Sequence, residues 1–234
     1  MLKNNEHQNT KHFEYLFNTL NPVSLEQELL TIIEERPILK NQFDTISVIH
    51  HNSLNTLVPQ EFFNPNLLKD YLKFNIQLLD NDFADFDSID ELHSNNVYLP
   101  FVNINNVFLD YSPSINYYHS ATIFLNKISS ILKQSSELFL YQVFINVYPK
   151  DFQLAIFINE KLYLYNHFEY HNSDEFLYYL FFALESIKID ENKTKYYIFG
   201  IDNQDEIVKN LRDFTNNLSV FSTSFDSKLN NFIL

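Results

Sequence analysis

Between residues 161 and 202 the spacing of apolar positions changes twice, and each change marks a new element. Residues 161–170 are rich in aromatic and β-forming residues, which predicts a strand. Alternation places three apolar side chains on one face of this strand: Leu162, Leu164 and Phe168. Residues 196–200 form a second short apolar run, which predicts another strand.

Helical spacing separates these two strands. Asn172 or Ser173 is predicted to cap the start of the helix, and Glu175 lies three residues after Asn172, as in a capping box. Apolar side chains then recur at steps of three and four: Phe176, Leu180, Leu184 and Ile187. Because further aromatic residues widen this stripe until little polar surface remains, we expect the helix to be buried on most sides.

A similar layout of strand, cap, helix and strand begins 149 positions earlier, where Ser24 stands in place of Ser173. Residues 13–18 and 46–50 predict its two strands, and Pro37 lies just past the end of its helix. Equal spacing of all four features favours a duplicated unit over a chance likeness.

The rest of the pattern predicts further helices and strands. Helices are predicted over residues 65–79, from 113 or 114 to 132, and over 204–215; strands over 97–102, 107–109, 138–148, 152–158, 162–168 and 218–222. Residues 52–59 are predicted as a connector and residues 80–91 as an acidic loop. A polar joint at 134–137 predicts two lobes, 1–134 and 135–234.

Composition narrows the possible functions. The 234 residues carry a formal net charge of −14, which argues against binding to nucleic acid or to anionic membranes because both reward basic patches. The chain has no cysteine, so disulfides and thiolate chemistry are excluded. A polar N-terminus and the lack of a long apolar run predict a soluble cytoplasmic protein without a membrane span.

One glycine, Gly200, is present in the whole chain. Loops that cradle phosphate need glycine, because backbone N–H groups must approach the anion closely and adopt positive φ. The usual glycine-rich nucleotide motifs are therefore absent from this sequence.

Three antiparallel strands followed by helix, strand, helix and strand, in duplicate, resemble the actin-like ATPase fold, the ribonuclease H-like superfamily of sugar kinases, heat-shock chaperones and actin. Four stretches also resemble a bacteroidete family of unknown function with a degenerate version of that fold: ISVIHHNSLNTLVPQEFF (46–63), YLKFN (71–75), NVYLPFVNINN (96–106) and NHFEYHNSDEFLYYLFFALE (166–185). The resemblance implies a two-lobed α/β protein with mixed sheets.

The same resemblance implies that the first lobe is incomplete. Subtracting 149 from the first two strands of the second lobe puts their counterparts before residue 12, so one or both are predicted to be missing. The strand at 13–18 would then have an unpaired edge. We expect this edge to pair with a protein partner or a second copy of the chain by strand addition. The alternative is a frayed edge that pairs with nothing.

In active members of the superfamily, phosphates lie against hairpin turns of the Asp-x-Gly type, and adenosine lies against a turn with paired glycines. The resemblance therefore implies three candidate cofactor-binding residues here, Asn159, Gly200 and Asp202. The turn at Asn159 lacks both Asp and Gly, and it places Glu160 where phosphate would lie. The acidic helix start at 204–206 would also repel phosphate. We accordingly predict no cofactor and no catalytic residue.

Histidines offer a further possible chemistry. His167, Glu169 and His171 share one face if their strand runs straight, which makes them candidate metal ligands. The alternative is a polar strand end that enters a helix cap, and we predict no metal. His50 and His51 are adjacent, so on a strand they point to opposite faces and cannot act as a simple pair.

These observations favour a non-catalytic actin-like module that acts through protein–protein contacts. The alternative is a divergent nucleotide-binding ATPase or kinase of the actin-like superfamily, and a metal-dependent hydrolase is a third hypothesis. Enzymatic activity is left open, and its absence is favoured because the phosphate loops are missing.

Overall fold

The computed structural model describes residues 22–40, 43–134 and 139–221, together with Phe13, Tyr15 and Phe17. The chain divides into two compact units, each built from two segments: Met1–Val48 with Phe101–Asn116, and Ile49–Pro100 with Tyr117–Leu234. We call them unit 1 and unit 2. The predicted lobes, 1–134 and 135–234, cut the chain elsewhere and stay a prediction.

Unit 1 contains two helices that lie against each other, α1 (Pro22–Glu35) and, later in the chain, α3 (Val102–Phe108). Helix α1 begins at a proline two residues before the predicted cap at Ser24, since proline suits the first turn of a helix. The strand predicted over 107–109 is wrong, because residues 107 and 108 are the last two of α3. Most of the predicted strand at 13–18 lies outside the described residues.

A two-stranded sheet pairs β1 (Ile46–His50) with β5 (Ile115–His119). Strand β1 is as predicted. Strand β5 replaces the first turn and a half of a predicted helix, which begins only at Ser120 as α4 (Ser120–Gln134). Residues 115–119 also fit alternation, and strand pairing outweighs their helical spacing.

The first segment of unit 2 forms a three-stranded antiparallel sheet. It consists of β2 (Asn55–Pro59), β3 (Asp85–Ile89) and β4 (Ser94–Tyr98), in the order β2-β4-β3. Two predictions are corrected here, since the expected connector contains β2 and the expected acidic loop contains β3. Two acids of that loop accept hydrogen bonds from side chains, Asp85 from Tyr117 and Asp87 from Thr122, which lets them lie within a strand.

Two more predicted elements of this segment differ in length or position. The helix predicted over 65–79 is limited to a short 3₁₀ turn at Pro65–Leu67 followed by α2 (Leu68–Leu72), which buries Leu72. The strand predicted over 97–102 corresponds to β4, which ends at residue 98, four residues earlier than predicted.

The second segment of unit 2 forms a five-stranded sheet. Its elements in chain order are β6 (Tyr141–Val147), β7 (Asp151–Ile158), β8 (Lys161–Glu169), α5 (Ser173–Ile187), β9 (Thr194–Phe199), α6 (Glu206–Phe214) and β10 (Leu218–Phe221). The strand order is β10-β9-β6-β7-β8, with β6, β7 and β8 antiparallel and with β9 and β10 parallel to β6. This is the predicted sequence of three antiparallel strands, helix, strand, helix and strand.

Helices cover both faces of this sheet. Helices α5 and α6 pack against one face, whose inward side chains include Val143, Leu154 and Ile198. Helix α4 packs against the other, which carries Phe144 and Phe157. Because side chains alternate along each strand, successive residues belong to two separate apolar cores, one on each face of the sheet.

A β-bulge in β8 changes which face its first residues occupy. Phe157 pairs with Leu162 and Ile156 with Leu164, so Tyr163 is an extra residue. Leu162 therefore packs on the α4 side, while Leu164 packs on the α5 side. The prediction that both share one face is wrong for this reason.

The predicted cap of α5 is confirmed. The Asn172 side chain accepts a hydrogen bond from the Glu175 N–H at 2.9 Å. The Glu175 carboxylate reaches back to the backbone N–H of His171, one residue before the position a capping box would use.

Candidate functional site

Gly200, the first candidate for cofactor binding, has a structural reason to be glycine. It follows β9 with a φ of 91°, a conformation that side chains disfavour. A Cβ at this position would overlap the backbone carbonyl oxygen of Val147 on the neighbouring strand β6. Only a residue without a side chain therefore allows the ends of β9 and β6 to pack this closely.

Asp202, the second candidate, uses its carboxylate to close a turn. Its Oδ1 atom accepts the Gln204 N–H at 2.7 Å. The carboxylate of Asp205 then accepts the Ile207 N–H and caps α6. Both acids at this helix start are thus engaged by the chain's own backbone.

Asn159, the third candidate, lies at the opposite end of the sheet from Gly200. It follows Ile158, which pairs with the first residue of β6, whereas Gly200 follows Phe199, which pairs with Asn146 near the end of β6. Asn159 and Glu160 have φ values of 49° and 62°, as in a tight type I′ hairpin. The structure therefore does not bring the three candidate residues into one site.

The three candidate metal ligands also separate. His171, which precedes α5, is exposed and forms a hydrogen bond with Glu175 of that helix, and Glu169 lies opposite Asp151 at the end of β8. The side chain of His167 is 6% exposed, and its Nε2 points at Asp151 instead. Within the described residues, the histidine and carboxylate side chains that could hold a metal ion together are His51, Asp151 and His167.

We call these three residues the His–Asp–His cluster, and it lies entirely within unit 2. The Nε2 atoms of both histidines are 2.8 Å from Oδ1 of Asp151. The cluster forms because Asp151 begins β7, because His167 lies diagonally across from it on β8, and because His51 follows β1 directly. Asp151 and His167 point to the same face of the sheet as Gln153, which pairs with His167.

Polar side chains support the cluster from one side. Nδ1 of His51 is 2.9 Å from the Ser120 hydroxyl, which also accepts a hydrogen bond from Nε2 of Gln153. The Tyr148 ring lies against His51, with ring centroids 3.9 Å apart. Ser120 is only 3% exposed, so this serine is placed to orient His51 rather than to attack a substrate.

Electrostatics keep the cluster's carboxylate ionised. Burial opposes ionisation of Asp151, but the hydrogen bonds from His167 and His51 outweigh it and hold the pKa of this carboxyl well below its usual value. Asp151 is thus a fixed negative charge between two imidazoles.

Of the three cluster residues, only His167 is among the metal ligands predicted from the sequence. His51 is 100 positions from Asp151, and Asp151 falls between two predicted strands, 138–148 and 152–158. No local period connects such residues, because only the assembly of the sheet brings them together. The only hint in the sequence is that His51 follows a predicted strand, and this position does not indicate which residues it would contact.

A second feature of unit 2 is an exposed aromatic surface on α5. The inner side of the helix buries Phe176, Leu180, Ala183 and Leu184. Tyr178 and Phe182, one turn apart on the outer side, are 63% and 61% exposed, and their rings stack at 6.2 Å. The prediction of a helix buried on most sides is therefore wrong on this side, which we call the aromatic face of α5.

Solved structures with the same fold show that the architecture is that of the actin-like ATPases. A Bacteroides thetaiotaomicron protein with an actin-like ATPase fold and unknown function superposes with a TM-score of 0.74 at 15% identity, over 87% of this chain and 79% of the other. The PilM–PilN type IV pilus biogenesis complex contains a chain that matches with a TM-score of 0.54 at 11% identity, over 92% and 79%. At such identities the likeness establishes the fold alone.

Three further findings concern the chain itself. No curated protein gives a significant match to it. In the part of the chain that the structure describes, no helix has the length and apolar character needed to cross a membrane. The family model described as "Protein of unknown function (DUF3822)" matches residues 1–218, and the chain therefore belongs to this family.

Proposed function

We propose that this protein is a non-catalytic module with an actin-like fold that acts through protein–protein contacts. The observation that carries the proposal is the aromatic face of α5, where Tyr178 and Phe182 are more than half exposed. Large aromatic side chains are enriched among the residues that dominate binding energy at interfaces. Nearby, the half-buried Phe181 meets Phe214 of α6, which is 59% exposed and extends the apolar surface.

Charge around this face favours one kind of partner. Asp174 and Glu185 are exposed and lie on the same side of α5 as the two aromatic residues, one before and one after them. We propose a partner segment with an apolar stripe flanked by Lys or Arg. A second copy is disfavoured, because two acidic faces in a chain of net charge −14 would repel each other.

The fold of the related complex is consistent with this role. The chain in the PilM–PilN complex that resembles this one is part of a protein assembly. In the present chain, Gly200 packs against β6 and Asp202 closes a turn, which gives both residues a role without a nucleotide. These contacts support a binding module over the alternative of a divergent ATPase or kinase.

Capture from lysate of the source cells tests the role of the aromatic face. The full chain, the double variant Tyr178→Ser/Phe182→Ser and the control Phe74→Ser are immobilised in parallel. Phe74 suits the control because it is 80% exposed in another part of unit 2. We expect a protein that binds the wild type and the control but not the double variant.

The captured protein must also fit the predicted chemistry. A synthetic peptide of its apolar, Lys- or Arg-flanked segment should bind the wild type, and binding should weaken as salt is raised. Capture that is equal for all three proteins, or a captured partner without such a segment, would contradict the proposed surface.

Nucleotide binding is tested separately by thermal unfolding. Mg-ATP, Mg-ADP and Mg-GTP at millimolar concentration should leave Tm unchanged relative to a sulfate control of equal ionic strength. A ligand present at about 100 times its Kd would stabilise the protein by about 2.7 kcal/mol. A saturable rise of several degrees would favour the ATPase or kinase alternative.

A further inference from the structure

We propose that His51, Asp151 and His167 form a binding site for one divalent transition-metal ion, of which Zn²⁺ is the natural probe. Two imidazole nitrogens and one carboxylate oxygen are a ligand set that zinc and its neighbours in the first transition row accept readily. Mg²⁺ and Ca²⁺ prefer oxygen ligands and are not expected to bind here.

The geometry carries the proposal. All three ligand atoms lie within 4.8 Å of one another, and each Nε2 is 2.8 Å from Oδ1 of Asp151. Neighbouring ligands around tetrahedral zinc, with bonds of about 2.0 Å, are separated by about 3.3 Å. Each Nε2 therefore needs to move away from Oδ1 by only about half an ångström for the ion to take the place of the hydrogen between them.

Ser120 is placed to orient one ligand. An imidazole that binds metal through Nε2 must carry its hydrogen on Nδ1. Nδ1 of His51 faces the Ser120 hydroxyl at 2.9 Å, and a hydroxyl oxygen can accept this hydrogen as well as the one from Gln153. Metal ligands in proteins are commonly held by an outer hydrogen bond of this kind.

His167 supplies a second, independent observation. Its side chain is only 6% exposed, Nε2 points at Asp151, and Nδ1 is buried without a hydrogen-bond partner among the described residues. Metal binding at Nε2 would leave Nδ1 in the same surroundings, so the support from His167 is the burial of its ring and the direction of Nε2. Because Nδ1–H has no acceptor, we expect micromolar rather than subnanomolar affinity.

Solvent can reach the cluster from one side. The side chains of His51 and Asp151 are 29% and 20% exposed, whereas His167 closes the other side. Three protein ligands leave at least one position for water or for a group from another molecule. Two neutral imidazoles and one carboxylate also leave the bound ion with a net positive charge, which the acidic chain favours.

The test is a titration of the untagged, chelator-treated full chain with Zn²⁺ by calorimetry and by competition with a chromophoric chelator. The chain has no cysteine, so thiolates cannot compete for the ion. We expect one Zn²⁺ per chain, and a rise in Tm with Zn²⁺ that Mg²⁺ at the same concentration does not produce. Tetrahedral Co²⁺ should add visible absorption bands.

Variants separate the cluster from other histidines. His51→Gln and Asp151→Asn should each weaken Zn²⁺ binding at least about tenfold, and Ser120→Ala should weaken it by roughly 10- to 100-fold. His171→Gln is the matched control, because its His–Glu pair is exposed and lies outside the cluster. Circular dichroism and Tm of the metal-free variants verify folding. If only one of the two ligand variants folds, that variant is enough for the test.

Two results would overturn the proposal. One is a wild-type chain that binds Zn²⁺ no more tightly than His51→Gln and Asp151→Asn do. The other is a loss of affinity in His171→Gln as large as the loss in the ligand variants, which would place the ion at the His–Glu pair instead.

Discussion

Gly200 ends β9 at a position where any side chain is opposed by both conformation and space. With a φ of 91° and the Val147 carbonyl against its α-carbon, Gly200→Ala combines backbone strain with overlap. We expect a loss of about 2 kcal/mol or more in the free energy of unfolding, measured by urea denaturation.

Glu160→Gly is the matched control for this prediction. Glu160 also has positive φ, 62°, but in an exposed hairpin turn where glycine relieves strain. It should leave stability unchanged or raise it by up to about 1 kcal/mol. An Ala at position 200 that costs as little as this control would show that the close approach to β6 is not required.

His119 should make the protein sensitive to mild acid. Burial, together with repulsion from His51 and His167, lowers its pKa to about 3 from the usual 6.5. Its Nδ1 accepts the Ala121 N–H and its Nε2 donates to the Asn52 carbonyl, so a second proton has no place. The unfolded chain takes up this proton first, so stability is complete above about pH 6.5 and falls below it.

Urea unfolding between pH 7 and pH 4.5 measures this effect. The free energy of unfolding should fall by up to about 1.4 kcal/mol per pH unit through His119 alone, which corresponds to one proton taken up on unfolding. His119→Gln should remove this contribution to the slope. Asp151 has a lowered pKa and contributes a loss only at still lower pH, below about 4. An unchanged slope in His119→Gln, or a slope flattened equally by the exposed His171→Gln, contradicts the assignment.

Among the helices, α5 is apolar on most sides, but only part of its apolar surface lies in the core. Phe176 is fully buried among the residues that cover the sheet, whereas Phe182 is 61% exposed. Phe176→Ala should cost about 3–5 kcal/mol of unfolding free energy. Phe182→Ala should change it by less than about 0.5 kcal/mol.

The two substitutions control for each other, since they remove the same ring from the same helix. Similar costs for both would mean that the outer side of α5 is covered within the chain. In that case the aromatic face would no longer be available to a partner.

Elements with two compatible periods were the ones that sequence reasoning misplaced. Residues 115–119 fit both helical spacing and alternation, and pairing with β1 makes them a strand. The acids of β3 suggested a loop, but Asp85 and Asp87 are satisfied by Tyr117 and Thr122 from distant parts of the chain. In contrast, the cap of α5 depends on residues three apart and was predicted correctly.

At the scale of the whole molecule, association through residues 13–18 remains a prediction from the sequence. If this segment is an open strand edge, its amides should become protected from hydrogen exchange when the protein is concentrated or when lysate is added. Light scattering should then report a species larger than a monomer. Tyr15→Pro, which removes one backbone donor, should weaken the association.

The contrary result is equally clear. A strict monomer whose amides at 13–18 exchange fast with and without lysate would show that this edge recruits nothing. The aromatic face of α5 would then be the remaining candidate surface for protein contacts.

The sequence alone predicts the layout of residues 141–221, because alternation, helical spacing and capping are local signals that do not depend on the fold. It also excluded glycine-rich phosphate loops, since one glycine cannot build them. Two features are visible only in the folded chain: His51, Asp151 and His167 meet, and one side of α5 faces solvent. Both depend on which strands and helices pack together, and side chains up to 116 positions apart carry no common period.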